Sequence, residues 1–127
     1  MTIAQEVMTK AVVSINSQAS VAEAIQVMRD RHVTSLLVER RSPADTWGVI
    51  SQTDIVQDIV AEAKDACQVK VSEVMTQPIT TVGPSATLQQ CARLMARDNI
   101  RRVFVFDGHD IVGVVTASDI FKSLECD

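Results

Sequence analysis

VMTKAVVSINSQASVAEAIQVM, from Val7 to Met28, returns as VMTQPITTVGPSATLQQCARLM from Val74 to Met95, and GVISQTDI from Gly48 to Ile55 returns as GVVTASDI from Gly113 to Ile120. The copies align without a gap from Val7/Val74 to Glu39/Phe106 at a constant offset of 67 residues. From Gly48/Gly113 onward the offset is 65, because the first copy carries two extra residues in RRSPADT, from Arg40 to Thr46. Such self-similarity marks one structural unit used twice. Length variation belongs in turns, so RRSPADT, and Asp107-Gly108-His109-Asp110 in the second copy, each join two strands.

Periodicity supplies the elements within the unit. Ser20 with Glu23, and Thr87 with Gln90, have the spacing of a capping box at a helix start. Val21, Ala24, Ile25 and Met28, then Leu88, Cys91, Ala92 and Met95, fall at i, i+3, i+4 and i+7, the stripe of an amphipathic helix. Leu36 to Val38 and Val103 to Phe106, followed by Trp47 to Ile50 and Ile111 to Val115, read as apolar strands. A closing helix is expected from about Thr53 to Ala63 and from about Ser118 to Leu124. The fold class is therefore α+β, with two β-α-β-β-α repeats, 1–63 and 71–127, and a connector at 64–70. A lone half buries too little surface, so the repeats are expected to pack about a pseudo-two-fold axis, sharing a core and leaving a cleft in two equivalent copies.

Composition excludes several functions. A net charge of −4 argues against nonspecific nucleic-acid binding, which needs clustered positive charge, and 3% aromatic residues with no Tyr provide no stacking platform. The arginines are spread over both repeats and interleaved with Asp30, Glu39 and Asp98, as on a solvated face. Cys67, Cys91 and Cys126 are odd in number and lack metal spacing, which fits a reducing, cytoplasmic setting, and Cys91 belongs to a core stripe. No apolar run approaches membrane-spanning length and no secretory signal is read. His32 and His109 accompany no nucleophile motif and no metal-ligand spacing, so neither catalysis nor a metal site is expected.

The chemistry of interest lies where the last strand of each repeat meets its closing helix. Ser51 stands three residues before Asp54, and Thr116 three before Asp119. One reading is a helix cap. The other is a ligand site: a helix N-terminus and a hydroxyl favour phosphate, while a carboxylate would repel it and instead accepts from the paired hydroxyls of a ribose.

Two β-α-β-β-α copies, each opened by VMT and each ending in G-h-h-S/T-x-S/T-D-I, where h is apolar, resemble a tandem pair of cystathionine-β-synthase (CBS) domains, from Val7 to Leu124. The resemblance implies a regulatory module that binds an adenosine nucleotide of the AMP, ADP or ATP type, or else S-adenosylmethionine, NAD or cyclic di-AMP. It also implies a homodimer that acts on an unknown partner protein. Carried over by position, the ribose carboxylates are Asp54 and Asp119, and the hydroxyls near phosphate are Ser51, Thr53, Thr116 and Ser118, with Val49 and Val114 in the strands before them. Family sites draw on both repeats, so Asp54 would join Ile79, Thr80, Ile100, Arg101 and Arg102. Asp119 would join Val12, Val13, Val33, Thr34 and Ser35. Arginine forks favour phosphate, so the Asp54 site is expected to take the more highly phosphorylated ligand. The alternative function is a ligand-free dimerisation or docking module.

Overall fold

The computed structural model describes residues 1–124. The chain forms two compact units, one of Val13–Ile79 and one of Met1–Val12 together with the chain from Thr80 onward. Sequence repeat and packing unit are thus different divisions of the chain, because the segment leading into each repeat packs with the other.

In the first unit β1 (Ser14–Ile15) runs parallel to β2 (Ser35–Val38), which pairs antiparallel with β3 (Gly48–Ser51). Helix α2 (Val21–Arg31) connects β1 to β2, and α3 (Gln52–Ile55) follows β3 and widens into a π turn, Val56–Val60. The second unit repeats the plan. Its β4 (Thr81–Val82) is parallel to β5 (Arg102–Phe106), β5 is antiparallel to β6 (Ile111–Thr116), α4 is Leu88–Asp98, and α5 is Ala117–Ser123. A short helix that the periodicity does not announce, α1 (Ala4–Val7), belongs to this second unit. Its counterpart in the first unit is a 3-10 turn, Val71–Glu73.

The caps explain where the helices start and stop. Thr87 and Gln90 form the full reciprocal box, with Gln90 N–H donating to Thr87 Oγ1 at 3.1 Å and Thr87 N–H to Gln90 Oε1 at 2.9 Å. The first box is only half formed: Glu23 N–H donates to Ser20 Oγ at 3.1 Å, but the Glu23 carboxylate does not reach back. Both helices end on a residue in the left-handed region, His32 at φ 55° and Asn99 at φ 54°, which stops the helix and turns the chain into the second strand.

Each unit has an apolar cluster of its own. Leu36, Val38 and Ile50 from the sheet meet Val21, Ala24 and Met28 from α2 and Ile55 and Ile59 from the closing helix. Val103, Val105 and Val115 meet Cys91 and Met95 in the second unit. Each cluster is completed by the exchanged segment, through Val71 and Val74 in the first and Ala4 in the second. Burial raises the Cys91 thiol pKa, as befits a core residue.

The exchange is fixed by backbone pairing. Thr76 and Val49 swap N–H···O bonds of 2.8 and 2.9 Å, and Thr9 and Val114 swap bonds of 2.9 and 3.1 Å. This brings the Met of each VMT onto the Gly of the last strand, Gly48 in β3 and Gly113 in β6. A Cβ on Gly48 would stand 2.8 Å from Met75 Sδ and 3.1 Å from the Thr76 carbonyl, and one on Gly113 would collide with Met8 Sδ. We therefore expect Gly48→Ala and Gly113→Ala each to destabilise the protein by about 1–3 kcal/mol. Gly83→Ala, with nothing within 4 Å, serves as the control. Urea denaturation midpoints unchanged in all three would contradict the close approach.

Candidate functional site

Each motif sits where a strand becomes a helix, and in both the capping geometry is complete. Ser51 N–H donates to Asp54 Oδ2 at 2.9 Å and Asp54 N–H to Ser51 Oγ at 3.2 Å. Thr116 N–H donates to Asp119 Oδ2 at 2.9 Å and Asp119 N–H to Thr116 Oγ1 at 3.1 Å. All four residues are half-buried. The cap engages one oxygen of each carboxylate and aims it back along the strand. Among the described residues nothing donates to the other oxygen, Oδ1, so each carboxylate keeps acceptor capacity for a ligand hydroxyl.

The anion-binding capacity of the helix starts is narrower than the sequence suggests. In α3, Gln52 N–H donates to the Thr34 carbonyl at 3.0 Å and Asp54 N–H to Ser51, and in α5, Ala117 N–H donates to the Arg101 carbonyl at 2.8 Å. Thr53 at one start and Ser118 at the other are exposed and carry the hydroxyl next to the carboxylate. A hydroxyl and one N–H next to a carboxylate suit a sugar with an adjoining phosphate better than a bare polyanion.

Pairing within each unit decides which candidate residues come together. Ser35 is opposite Ser51 in the ladder, so Thr34 and Ser35 adjoin Ser51 and Asp54 in the first unit. Val33 N–H closes the end of α2 on the Met28 carbonyl, Val13 accepts from Leu37 N–H at 3.0 Å, and Val49 pairs with both Leu37 and Thr76. Ile79 is the last residue of this unit and is half-buried.

In the second unit Arg102 is opposite Thr116, and Arg101 accepts from Ala117, so the arginines adjoin Thr116 and Asp119. Ile100 N–H donates to Met95, Val114 pairs with Thr9, and Val12 N–H donates to the Lys10 carbonyl. Thr80 accepts from Phe104 N–H at 3.0 Å, and its hydroxyl donates to Asp98 Oδ2 at 3.1 Å. Asp98 is also gripped by Arg97, whose guanidinium holds the carboxylate pKa below its usual value with the Thr80 hydroxyl adding to the effect. The sequence gives no sign of this Arg97–Asp98–Thr80 chain, since Thr80 and Asp98 are eighteen residues apart and meet only in the folded unit. Within a unit, then, each carboxylate adjoins the second strand of its own repeat. Asp54 and the Arg101–Arg102 pair belong to different units.

Among the described residues no group of three His, Cys, Asp or Glu side chains could hold a metal ion, and no helix is long and apolar enough to cross a membrane.

Comparison with known proteins agrees with this architecture. The hexameric CBS-CP12 protein from bloom-forming cyanobacteria is 36% identical and superposes with a TM-score of 0.92, over 97% of this chain and 71% of that one. The CBS domain-containing protein YhcV of Bacillus subtilis is 28% identical over 120 residues, 94% of this chain and 84% of its own. Hypoxic response protein 1 of Mycobacterium tuberculosis is 27% identical over 124 residues, 98% of this chain and 86% of its own. The CBS domain family matches twice, at residues 4–61 and 71–126. Two matched copies that together span most of the chain, on two three-stranded sheets with their helices, make this a tandem CBS-domain protein, of a family of ligand-binding regulatory modules.

Proposed function

We propose that the chain binds an adenosine nucleotide reversibly and without chemistry, and that occupancy regulates a cytoplasmic partner protein. The observation that carries this reading is the duplicated carboxylate at Asp54 and Asp119, each with one oxygen fixed by the cap and the other left to accept. A ribose diol placed against that oxygen is read by two hydrogen bonds, while Thr53 or Ser118 meets the adjoining phosphate. CBS domains generally bind adenosine-containing ligands in a regulatory role, and no catalytic family is indicated.

The test is native mass spectrometry of protein purified without added ligand, followed by thermal-shift titration with AMP, ADP, ATP, S-adenosylmethionine, NAD and cyclic di-AMP. A retained adenosyl mass or a concentration-dependent rise in Tm is expected. No shift with any of them at millimolar concentration sinks the proposal. It would leave the second reading, a ligand-free dimerisation or docking module, which the complete capping boxes favour because they give both carboxylates a structural role.

Arg101 and Arg102 serve the outer phosphates in this reading. Replacing both by Ala should weaken ATP more than AMP, since hydrogen bonds to charged groups contribute about 1.5–3 kcal/mol each. Equal losses would place the guanidinium groups away from those phosphates. Trp47 directly precedes Gly48, whose strand leads to Ser51 and Asp54, and the Arg40 guanidinium lies 4.0 Å above its ring. Its fluorescence therefore reports occupancy of the Asp54 motif in the same titrations.

The proposed assembly is a homodimer through the closing helices. Val56 and Val60 are 57% and 66% exposed, and Phe121 and Leu124 are 75% and 69% exposed. Apolar side chains of this size, on the closing helix of each unit or directly after it, form faces that association would remove from water. Phe121→Asp should convert the dimer to monomer in sedimentation velocity. An unchanged sedimentation coefficient would contradict that interface.

A further inference from the structure

One concavity of the second unit lies away from the strand-to-helix motifs. Where the edge strand β4 meets α4 there is a trough of about 410 Å³, floored by the apolar Val82, Ala86 and Leu94 and rimmed by Gln90, Arg93 and Arg97. β4 and β6 are opposite edges of their sheet, and the trough shares no residue with the Thr116–Asp119 cap at the end of β6. All three floor residues belong to the second apolar cluster or pack against it, which holds the floor in place. The volume falls within the range of about 300–1,000 Å³ found for small-molecule sites, whose usual lining is apolar with a few polar groups that fix orientation. We propose that this trough binds a small organic acid, one carboxylate carried on an apolar body, at a site separate from the one proposed for the nucleotide.

The polar rim selects the head group. Gln90, Arg93 and Arg97 fall at i, i+3 and i+7 on α4, so they share one face of the helix. Gln90 Oε1 is taken by the Thr87 N–H at 2.9 Å, which leaves the amide NH₂ as a donor with no acceptor among the described residues. Arg93 likewise makes no hydrogen bond or ion pair among the described residues. Two donors one helical turn apart match the two oxygens of one carboxylate. Arg97 adds no further net charge, because its Nε and Nη2 hold the Asp98 carboxylate at 2.8 and 3.0 Å. With no carboxylate in its lining, the trough carries one uncompensated positive charge, which suits a monoanion rather than a polyphosphate. An apolar body laid on Val82, Ala86 and Leu94 leaves water together with the floor beneath it. At the 67-residue offset the rim positions on α2 are Glu23, Gln26 and Asp30, so the first unit offers an anion no such place.

Fluorescence titration of the full-length chain with anilinonaphthalene sulfonate, a single anion on an apolar body that brightens in apolar surroundings, tests it. Saturable enhancement is expected, reversed by octanoate but not by octanol or octylamine, which keep the apolar chain and lack the negative charge. Arg93→Gln should weaken octanoate about tenfold, for one lost charge-assisted hydrogen bond. Gly83→Leu is the steric counterpart. A Cβ on Gly83 meets nothing within 4 Å, so the larger side chain is accommodated by the fold and occupies the trough, and octanoate should no longer displace the probe. Arg31→Gln, at an exposed arginine of α2, should leave octanoate affinity unchanged, which excludes a general effect of lost positive charge. The proposal is overturned if no saturable binding occurs or if octanol or octylamine displaces the probe as well as octanoate does. It is equally overturned if either Arg93→Gln or Gly83→Leu binds octanoate as the wild type does. No trough residue belongs to the nucleotide motifs, so failure of the nucleotide reading would leave these outcomes unchanged.

Discussion

Nucleotide affinity falls by at least about 100-fold when Asp54 and Asp119 are both replaced by Ala, because each ligand loses two hydrogen bonds to a charged acceptor worth about 1.5–3 kcal/mol apiece. The 2′-deoxy nucleotide loses less, since one of the two hydroxyls is already missing. The same carboxylates cap α3 and α5, so the Ala variant also loses about 0.5–2 kcal/mol of stability at each cap. The Asn variants separate the two roles. An amide oxygen can still accept from Ser51 or Thr116 N–H, which preserves the cap, but the other position becomes an NH₂ donor facing the ribose. Asp54→Asn with Asp119→Asn should therefore keep its denaturation midpoint and lose the nucleotide. Full ribonucleotide affinity in either double variant reduces both carboxylates to caps.

Leu36→Ala should destabilise the protein by about 2–5 kcal/mol. Leu36 is 1% exposed and lies in the middle strand of its sheet, between β1 and β3, in the cluster with Ile50 and Val21. Its repeat counterpart, Val103, is a smaller side chain in the other cluster, and truncating it leaves a smaller void. Equilibrium unfolding in urea measures both losses. A loss under about 1 kcal/mol for Leu36→Ala would mean that the first cluster collapses around the void rather than holding its packing.

Local pattern made much of this legible. The apolar stripes of α2 and α4 and the strands on either side of RRSPADT and of Asp107–Asp110 are found where period and turn chemistry put them. Two aspartates fix those turns. Asp45 Oδ2 accepts from Arg41 N–H, and Asp107 Oδ1 accepts from His109 and Asp110 N–H. These backbone bonds lower both carboxylate pKa values, so what they contribute to stability is present at neutral pH and disappears as pH falls through the depressed values.

Partnership between distant segments was not legible. Nothing in AQEV marks a helix that completes the second unit, because Ala4 is buried only once its N–H reaches the Ala86 carbonyl at 2.7 Å. The π turn in the closing helix of the first unit escapes periodicity for a similar reason. Ala61 N–H reaches back to the Val56 carbonyl, which widens one turn and leaves Ile55 and Ile59 inward with Val56 and Val60 outward. At the site, sequence supplied the residues and their spacing. Only the structure shows that the caps occupy Oδ2 and leave Oδ1 to accept.

Isothermal titration calorimetry of the wild-type chain, with an adenosine ribonucleotide and its 2′-deoxy analogue side by side, tests the ribose reading most directly. Saturable binding of the ribonucleotide, with the analogue weaker by about tenfold for one lost charge-assisted hydrogen bond, is the predicted result. Equal affinities, or no heat from either nucleotide at millimolar concentration, would contradict it.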